Sequence, residues 1–134
     1  MRDRPDGIAL LGLARRALLE DLLDELPDEH RVTARMVANA MAIAARELAA
    51  GDAPTAAYAE ALTALYDESQ ESGLRGDAAE PVDEAIQRLA WWLAAEIRGG
   101  RRDGDAAVHN LLRARAIDRV RVTNPKLLGE AGTK

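Results

Sequence analysis

The polar side chains of one largely apolar segment are the first candidates for chemistry. Residues 33–51 are rich in alanine, and their few polar side chains include an amide, a guanidinium and a carboxylate. Placed close together, such groups can orient a small polar ligand, although polar groups on a buried helix also cap neighbouring backbone. Cations late in the chain could receive a carboxylate or a phosphate. The predicted ligand-binding residues are Asn39, Arg46, Glu47, Arg119 and Lys126.

Three charged residues fall among apolar ones when each predicted helix is projected at about 100° per residue. Arg15 lies between Leu11 and Leu19, and Glu47 and Glu96 lie on apolar faces of two later helices. A buried charge needs a partner, so Arg15 is predicted to pair with Glu47 or Glu96 as a buried charge network. The alternative is that these long side chains reach water from the edge of the stripe.

Signatures of catalysis and of metal binding are missing from the sequence. There is no cysteine, and the two histidines, His30 and His109, lack the spacing that sets two ligands on one helix face. The GGRRDG segment at 99–104 lacks the spacing of a phosphate-binding loop. We therefore expect no metal and no cofactor, and an enzyme is not indicated.

Composition and charge limit the class of protein. A chain of 134 residues suits one domain, 1–134, and no apolar run approaches the about 20 residues of a membrane span. The N-terminus lacks a signal-peptide core, so a cytoplasmic location is predicted. Residues 1–97 carry 9 basic and 19 acidic side chains, whereas residues 98–134 carry 9 and 4. The basic segment either docks on the acidic remainder or binds an anion, and the net charge of −5 argues against nucleic acid.

Apolar periodicity predicts an all-α chain, a compact bundle of about five helices with the second helix, about 33–50, at its centre. The boundaries follow from Asp6 as an N-cap, Gly51 as a C-cap and prolines that end or begin helices. The predicted helices span about 6–26, 33–51, 54–67, 82–98 and 105–122. The remaining segments are a polar loop at 67–81 and a C-terminal tail at 123–134.

One tryptophan is predicted to face solvent. On the fourth helix the inward stripe consists of Val82, Ile86, Leu89, Leu93 and Ile97. Trp91 points away from that stripe, whereas Trp92 is mostly buried. Exposed aromatic side chains anchor interfaces, so Trp91 is predicted to contact a partner or a second copy of the chain. The alternative is a simple contact at the rim of the core.

Four stretches of the sequence resemble a family of small helical bacterial domains of unknown function. They are RPDGIALLGLARRALLEDLLDELP, MVANAMAIAARELAAG, IRGGRRD and VRVTNPKLL. Such domains are found beside or fused to acyl-CoA dehydrogenases and kinases similar to aminoglycoside phosphotransferases. The resemblance therefore implies a non-catalytic accessory role in acyl-CoA or hydroxy-acid catabolism. The alternative function is a small-molecule module that binds an acyl-CoA or a carboxylate.

Overall fold

The computed structural model of the protein describes residues 5–67, 74 and 79–130. Within these ranges every regular element is helical, which confirms the all-α prediction. The α-helices are α1 Gly7–Arg16, α2 Asp28–Ala50, α3 Ala53–Tyr66, α4 Val82–Arg98, α5 Ala106–Thr123 and α6 Lys126–Glu130. None of the helices in these ranges has the length and apolarity that crossing a membrane requires.

The first helix begins at a side-chain cap and ends in irregular turns. The Oδ1 atom of Asp6 accepts a hydrogen bond from the backbone N–H of Ala9 at 2.9 Å, which confirms the predicted N-cap. After α1 the chain continues as a π-helical turn over Ala17–Leu22 and a short 3₁₀ turn. The wider turn interrupts the 3.6-residue repeat, and Leu22 within it is exposed, as is Ile8 in the first turn of α1.

The second helix starts earlier than predicted and ends where predicted. It begins at Asp28, directly after Pro27, whereas the apolar periodicity begins only near Thr33. Acidic residues in the first turn suit a helix N-terminus, so the helix extends into this polar segment. At the other end Gly51 has a φ of 59°, which confirms it as the C-cap.

The chain divides into two compact units. The first unit consists of Met1–Gly51 and Val122–Pro125, and the second of Asp52–Arg121 and Lys126–Lys134. In the first unit α2, the helix predicted to be central, packs along α1. Among the described side chains of this unit, only Ala34 and Ala38 are buried. Because alanine side chains are small, the described part of this unit buries little apolar area.

The second unit contains a core of larger side chains, contributed mainly by α3, α4 and α5. Its buried members are Leu62, Tyr66, Leu74, Leu89, Leu93, Val108 and Leu111. The predicted inward positions Leu89 and Leu93 are therefore confirmed. Val82 and Ile97, also predicted to point inward, are exposed at the two ends of α4. Both residues belong to the terminal turns of α4, and Val82 borders an open pocket together with Thr55 and Ala56 of α3.

Two segments were predicted to be irregular, but the parts that the structure describes include a buried residue and a short helix. Residues 68–73 and 75–78 of the predicted polar loop lie outside the described residues, but Leu74 is buried in the core. The Nη1 atom of Arg88 donates to the carbonyl oxygen of Leu74 at 2.9 Å. The predicted tail contains α6, which the sequence analysis missed, and residues 131–134 lie outside the described part.

Candidate functional site

The turn between α4 and α5 positions a cluster of polar side chains in the second unit. Gly100 and Gly104 have φ values of 73° and 75°, a left-handed conformation that glycine adopts without steric cost in this turn. The Oδ1 atom of Asp105 accepts hydrogen bonds from the N–H groups of Ala107 at 2.9 Å and Val108 at 3.2 Å. Asp105 thus caps α5, and its Oδ2 atom faces a second partner.

Arg102 connects this cap to the core. Its Nη1 atom donates to Oδ2 of Asp105 at 3.0 Å, and its Nε atom donates to Oε2 of Glu96 at 2.8 Å. The hydroxyl of Tyr66 donates to the same Glu96 oxygen at 2.7 Å. The guanidinium carbon of Arg102 also lies 5.4 Å from the centre of the Tyr66 ring. We call Tyr66, Glu96, Arg102 and Asp105 the turn network.

The turn network moves the pKa of its acidic groups away from neutrality. Partial burial alone would raise the pKa of Glu96, but the hydrogen bonds from Tyr66 and Arg102 outweigh it and lower this pKa. The backbone N–H of Val108, together with Arg102, lowers the pKa of Asp105. Burial and the hydrogen bond to Glu96 raise the pKa of Tyr66 to about 12. A general acid or base works best near neutral pH, so these groups suit a fixed cross-link better than proton transfer.

An open pocket of about 430 Å³ lies beside the turn network. Its lining includes Arg102 and Asp105 of the turn network and the exposed apolar residues Ile97 and Leu112. His109 also borders the pocket and is exposed. In the described part of the chain no three histidine, aspartate or glutamate side chains form a group that could hold a metal ion.

In the first unit, α1 and α2 border a groove of about 370 Å³ that brings two predicted residues together. Arg15 and Arg46 both line it, although the sequence analysis assigned them to different sites. The remaining lining residues are Leu11, Gly12, Met41, Ala42 and Ala45. The Nε atom of Arg46 donates to the carbonyl oxygen of Val122 at 2.6 Å, which holds this partly buried side chain in place. We call this cleft the arginine groove.

The prediction of a buried charge network is wrong for two of its three members. Arg15 and Glu47 are exposed, and Glu96 is only partly buried. The arginine that pairs with Glu96 is Arg102 rather than Arg15. The helical projection identified a stripe on α1, but none of the α1 side chains is buried, so a place on that stripe does not imply burial.

The other predicted ligand-binding residues lie on helix surfaces. Asn39 is exposed on α2 and does not line the arginine groove. Arg119 on α5 and Lys126 at the start of α6 are also exposed. A role for these three residues in ligand binding stays a prediction. Gly12 also lines the arginine groove and was not predicted, although a glycine inside a helical pattern can indicate a packing or functional constraint.

Trp91 is exposed as predicted, with 63% of its surface accessible. Its ring meets that of the partly buried Trp92 edge to face, at 5.8 Å between ring centres. Gln87 and Arg98, each about two turns or less away on the same side of α4, are exposed as well. Trp91 is therefore an exposed aromatic side chain with one exposed polar residue on either side of it along α4.

These features define an all-α protein whose second unit carries a closed polar network and whose first unit carries an open groove with two arginines. A family model described as a domain of unknown function (DUF6285) matches residues 24–127, and the chain belongs to this family. The match begins after α1 and ends within α6. No curated protein and no solved structure shows a significant match to the chain.

Proposed function

We propose that this protein is a non-catalytic accessory protein of the cytoplasm that docks onto an acyl-CoA dehydrogenase or a phosphotransferase-like kinase. The observation that carries the proposal is the exposure of Trp91, 63% of whose surface is accessible. Tryptophan is enriched among the residues that dominate binding energy at protein interfaces. An exposed tryptophan with the polar residues Gln87 and Arg98 on the same side of the helix has features of an interface centre with part of its polar rim.

The partner enzymes come from the resemblance of the sequence to helical domains found beside or fused to those enzymes. A non-catalytic role agrees with the chemistry of the turn network, whose hydrogen bonds keep the pKa of Glu96 and Asp105 below their ordinary range. Such groups serve structure at neutral pH, because they are already ionised and hydrogen-bonded.

The test is direct binding between the full chain and each purified enzyme from the same genome, measured by calorimetry. We expect micromolar binding to at least one of the two enzymes. Replacing Trp91 by Ala should weaken that binding at least about tenfold, since truncating a central tryptophan typically costs 2 kcal/mol or more. Binding to neither enzyme would remove the proposal.

Val82→Ala is the matched control for the docking surface. Val82 is an exposed apolar residue on the same helix, and the helical repeat places it on the side opposite Trp91. Its replacement should leave the affinity for the enzyme unchanged. Equal losses in the two variants would show that binding does not centre on Trp91, and circular dichroism would verify that both variants fold.

One observation favours a second candidate function, that of a small-molecule module for an acyl-CoA or a carboxylate. Arg46 lines the arginine groove, and its hydrogen bond to Val122 reduces the conformational entropy that ligand binding would cost. A thermal-shift titration with acetyl-CoA, longer acyl-CoAs and a hydroxy acid tests this function. Ligand at 100 times its Kd should add about 2.7 kcal/mol of stability. An unchanged Tm with all of them would contradict it.

A further inference from the structure

The two helices that border the arginine groove run antiparallel. A Cβ atom added to Gly7, the first residue of α1, would lie 3.9 Å from Cδ1 of Leu48, close to the end of α2. Counted from this contact, Arg15 lies level with Ala40, so about 9 Å of helix axis separates it from Arg46. By their backbone positions, the two arginines therefore belong to opposite ends of the groove.

Between the arginines the groove is apolar and kept open by small residues. Its lining there includes Leu11, Met41 and two alanines of α2. Apart from its chain neighbours and the backbone of its own helix, no atom of the described residues lies within 4 Å of the position that a Cβ would take at Gly12. Glycine inside a helix costs about 1 kcal/mol relative to alanine. Because packing does not require a glycine here, the space beside Gly12 belongs to the groove.

The two guanidinium groups are available for a ligand. Arg46 uses its Nε atom for the carbonyl oxygen of Val122, which leaves its Nη atoms for a further acceptor. Arg15 is exposed at the other end. In the described part of the chain, neither arginine forms an ion pair with a carboxylate. The planar guanidinium group binds carboxylates through two parallel hydrogen bonds, so each end of the groove suits one carboxylate.

We propose that the arginine groove binds a linear dicarboxylate, with one carboxylate at Arg15, the other at Arg46 and an apolar chain between them. A monocarboxylate would use only one of the two cations, and an uncharged chain would use neither. The site does not involve Trp91, so it can exist whether or not an enzyme docks there. It shares Arg46 with the second candidate function but does not require a coenzyme A group.

The first experiment compares dicarboxylates with monocarboxylates of matched length on the full chain by calorimetry. The probes are glutarate, adipate and suberate against pentanoate, hexanoate and octanoate. We expect one dicarboxylate to bind at least about tenfold more tightly than its monocarboxylate, a difference of about 1.4 kcal/mol. Equal affinities in every matched pair would overturn the proposal, even if acyl-CoA compounds bind.

Two arginine variants test the two ends of the groove. Arg15→Gln and Arg46→Gln should each remove the preference for the dicarboxylate, because each leaves only one cation. Arg46→Gln also loses the hydrogen bond to Val122, so Arg15→Gln is the decisive variant. Arg16→Gln and Arg35→Gln change exposed arginines outside the groove and should keep the preference. The same loss in Arg16→Gln as in Arg15→Gln would overturn the proposal.

A third pair of variants tests the space between the arginines. Gly12→Leu should fill the groove and reduce dicarboxylate affinity at least about tenfold, whereas Gly12→Ala should bind nearly as the natural chain does. Both changes favour helix formation, so loss of folding does not explain a difference between them. Unchanged affinity in Gly12→Leu would place the ligand elsewhere and contradict the proposal.

Discussion

The two compact units bury different classes of side chain. The described part of the first unit buries only alanines, whereas the second unit buries leucines, a valine and a tyrosine from several helices. The arginines of the two units differ in their surroundings. Arg102 pairs with Glu96 and Asp105 in the second unit, whereas Arg15 and Arg46 line an open groove in the first.

This comparison connects packing with the availability of charged groups. Large apolar side chains draw α3, α4 and α5 into one core, and this packing brings Tyr66 within hydrogen-bond distance of Glu96. Charges at the edge of such a core are paired because an unpaired charge there is costly. Where only small residues are buried, the helix surfaces stay open, and their cations can serve ligands.

The largest expected effect is the loss of a core side chain in the second unit. Leu62 is fully buried, so Leu62→Ala should lower the free energy of unfolding by about 2–5 kcal/mol. Met36→Ala in the first unit should change it by no more than about 0.5 kcal/mol, because Met36 is 68% exposed. Urea denaturation measures both. A loss at Met36 as large as that at Leu62 would break the comparison between the units.

The next effect is the loss of the carboxylate at the centre of the turn network. Glu96→Gln leaves Arg102 beside a neutral acceptor in a partly buried place, and we expect a cost of about 1–2 kcal/mol. The control is Asp118→Asn, which breaks an ion pair with Arg121, a side chain that is 66% exposed. That change should cost about 0–1 kcal/mol. Thermal unfolding of the two variants, compared at one pH, tests whether burial sets the difference.

Glu96 should also contribute to the loss of stability in acid. Its pKa is lowered on folding, so the stabilisation is present above its ordinary value of 4.5 and is lost as pH falls through the folded pKa. The free energy of unfolding should therefore decline in acid, and the decline should be shallower in Glu96→Gln. Denaturant titrations at a series of pH values measure the two slopes, and identical slopes would contradict this assignment.

Tyr66 should produce the corresponding effect in alkali. Burial and Glu96 raise its pKa from 10.0 to about 12, so the unfolded chain ionises first as pH rises. The stabilisation that Tyr66 contributes should be fully present below pH 10.0 and should be lost as pH rises through about 12. Tyr66→Phe should remove this part of the alkaline decline. Denaturant titrations of both proteins measure this decline, and tyrosinate absorbance gives a second signal. An equally steep alkaline decline in Tyr66→Phe would contradict the prediction.

The smallest expected effect is a gain of stability in the first unit. Gly12→Ala places a methyl group in open space on α1, so it should raise the free energy of unfolding by about 0.5–1 kcal/mol. Gly51→Ala is the control, because its φ of 59° is unfavourable for alanine and the change should destabilise. Thermal unfolding shows whether each of the two variants gains or loses stability. A loss of stability in Gly12→Ala would mean that the groove has less space than its lining indicates.

Much of the local structure could be predicted from the sequence. The cap at Asp6, the cap at Gly51 and the bounds of α4 follow from residue types next to apolar periodicity, and the structure agrees with them. The early start of α2 and the helix α6 were missed because these segments are polar or short and lack such periodicity. The exposure of Trp91 followed from its position on α4 alone.

The sequence by itself determined the all-α class, most helix boundaries and the side of each helix on which a residue lies. Tertiary structure alone decided which polar groups are paired: Tyr66 and Glu96 are 30 residues apart, and nothing in their spacing indicates contact. It also decided that Arg15 lies exposed in a groove instead of a buried pair. The physical reason is that periodicity identifies a helix face, whereas burial depends on which other element covers that face.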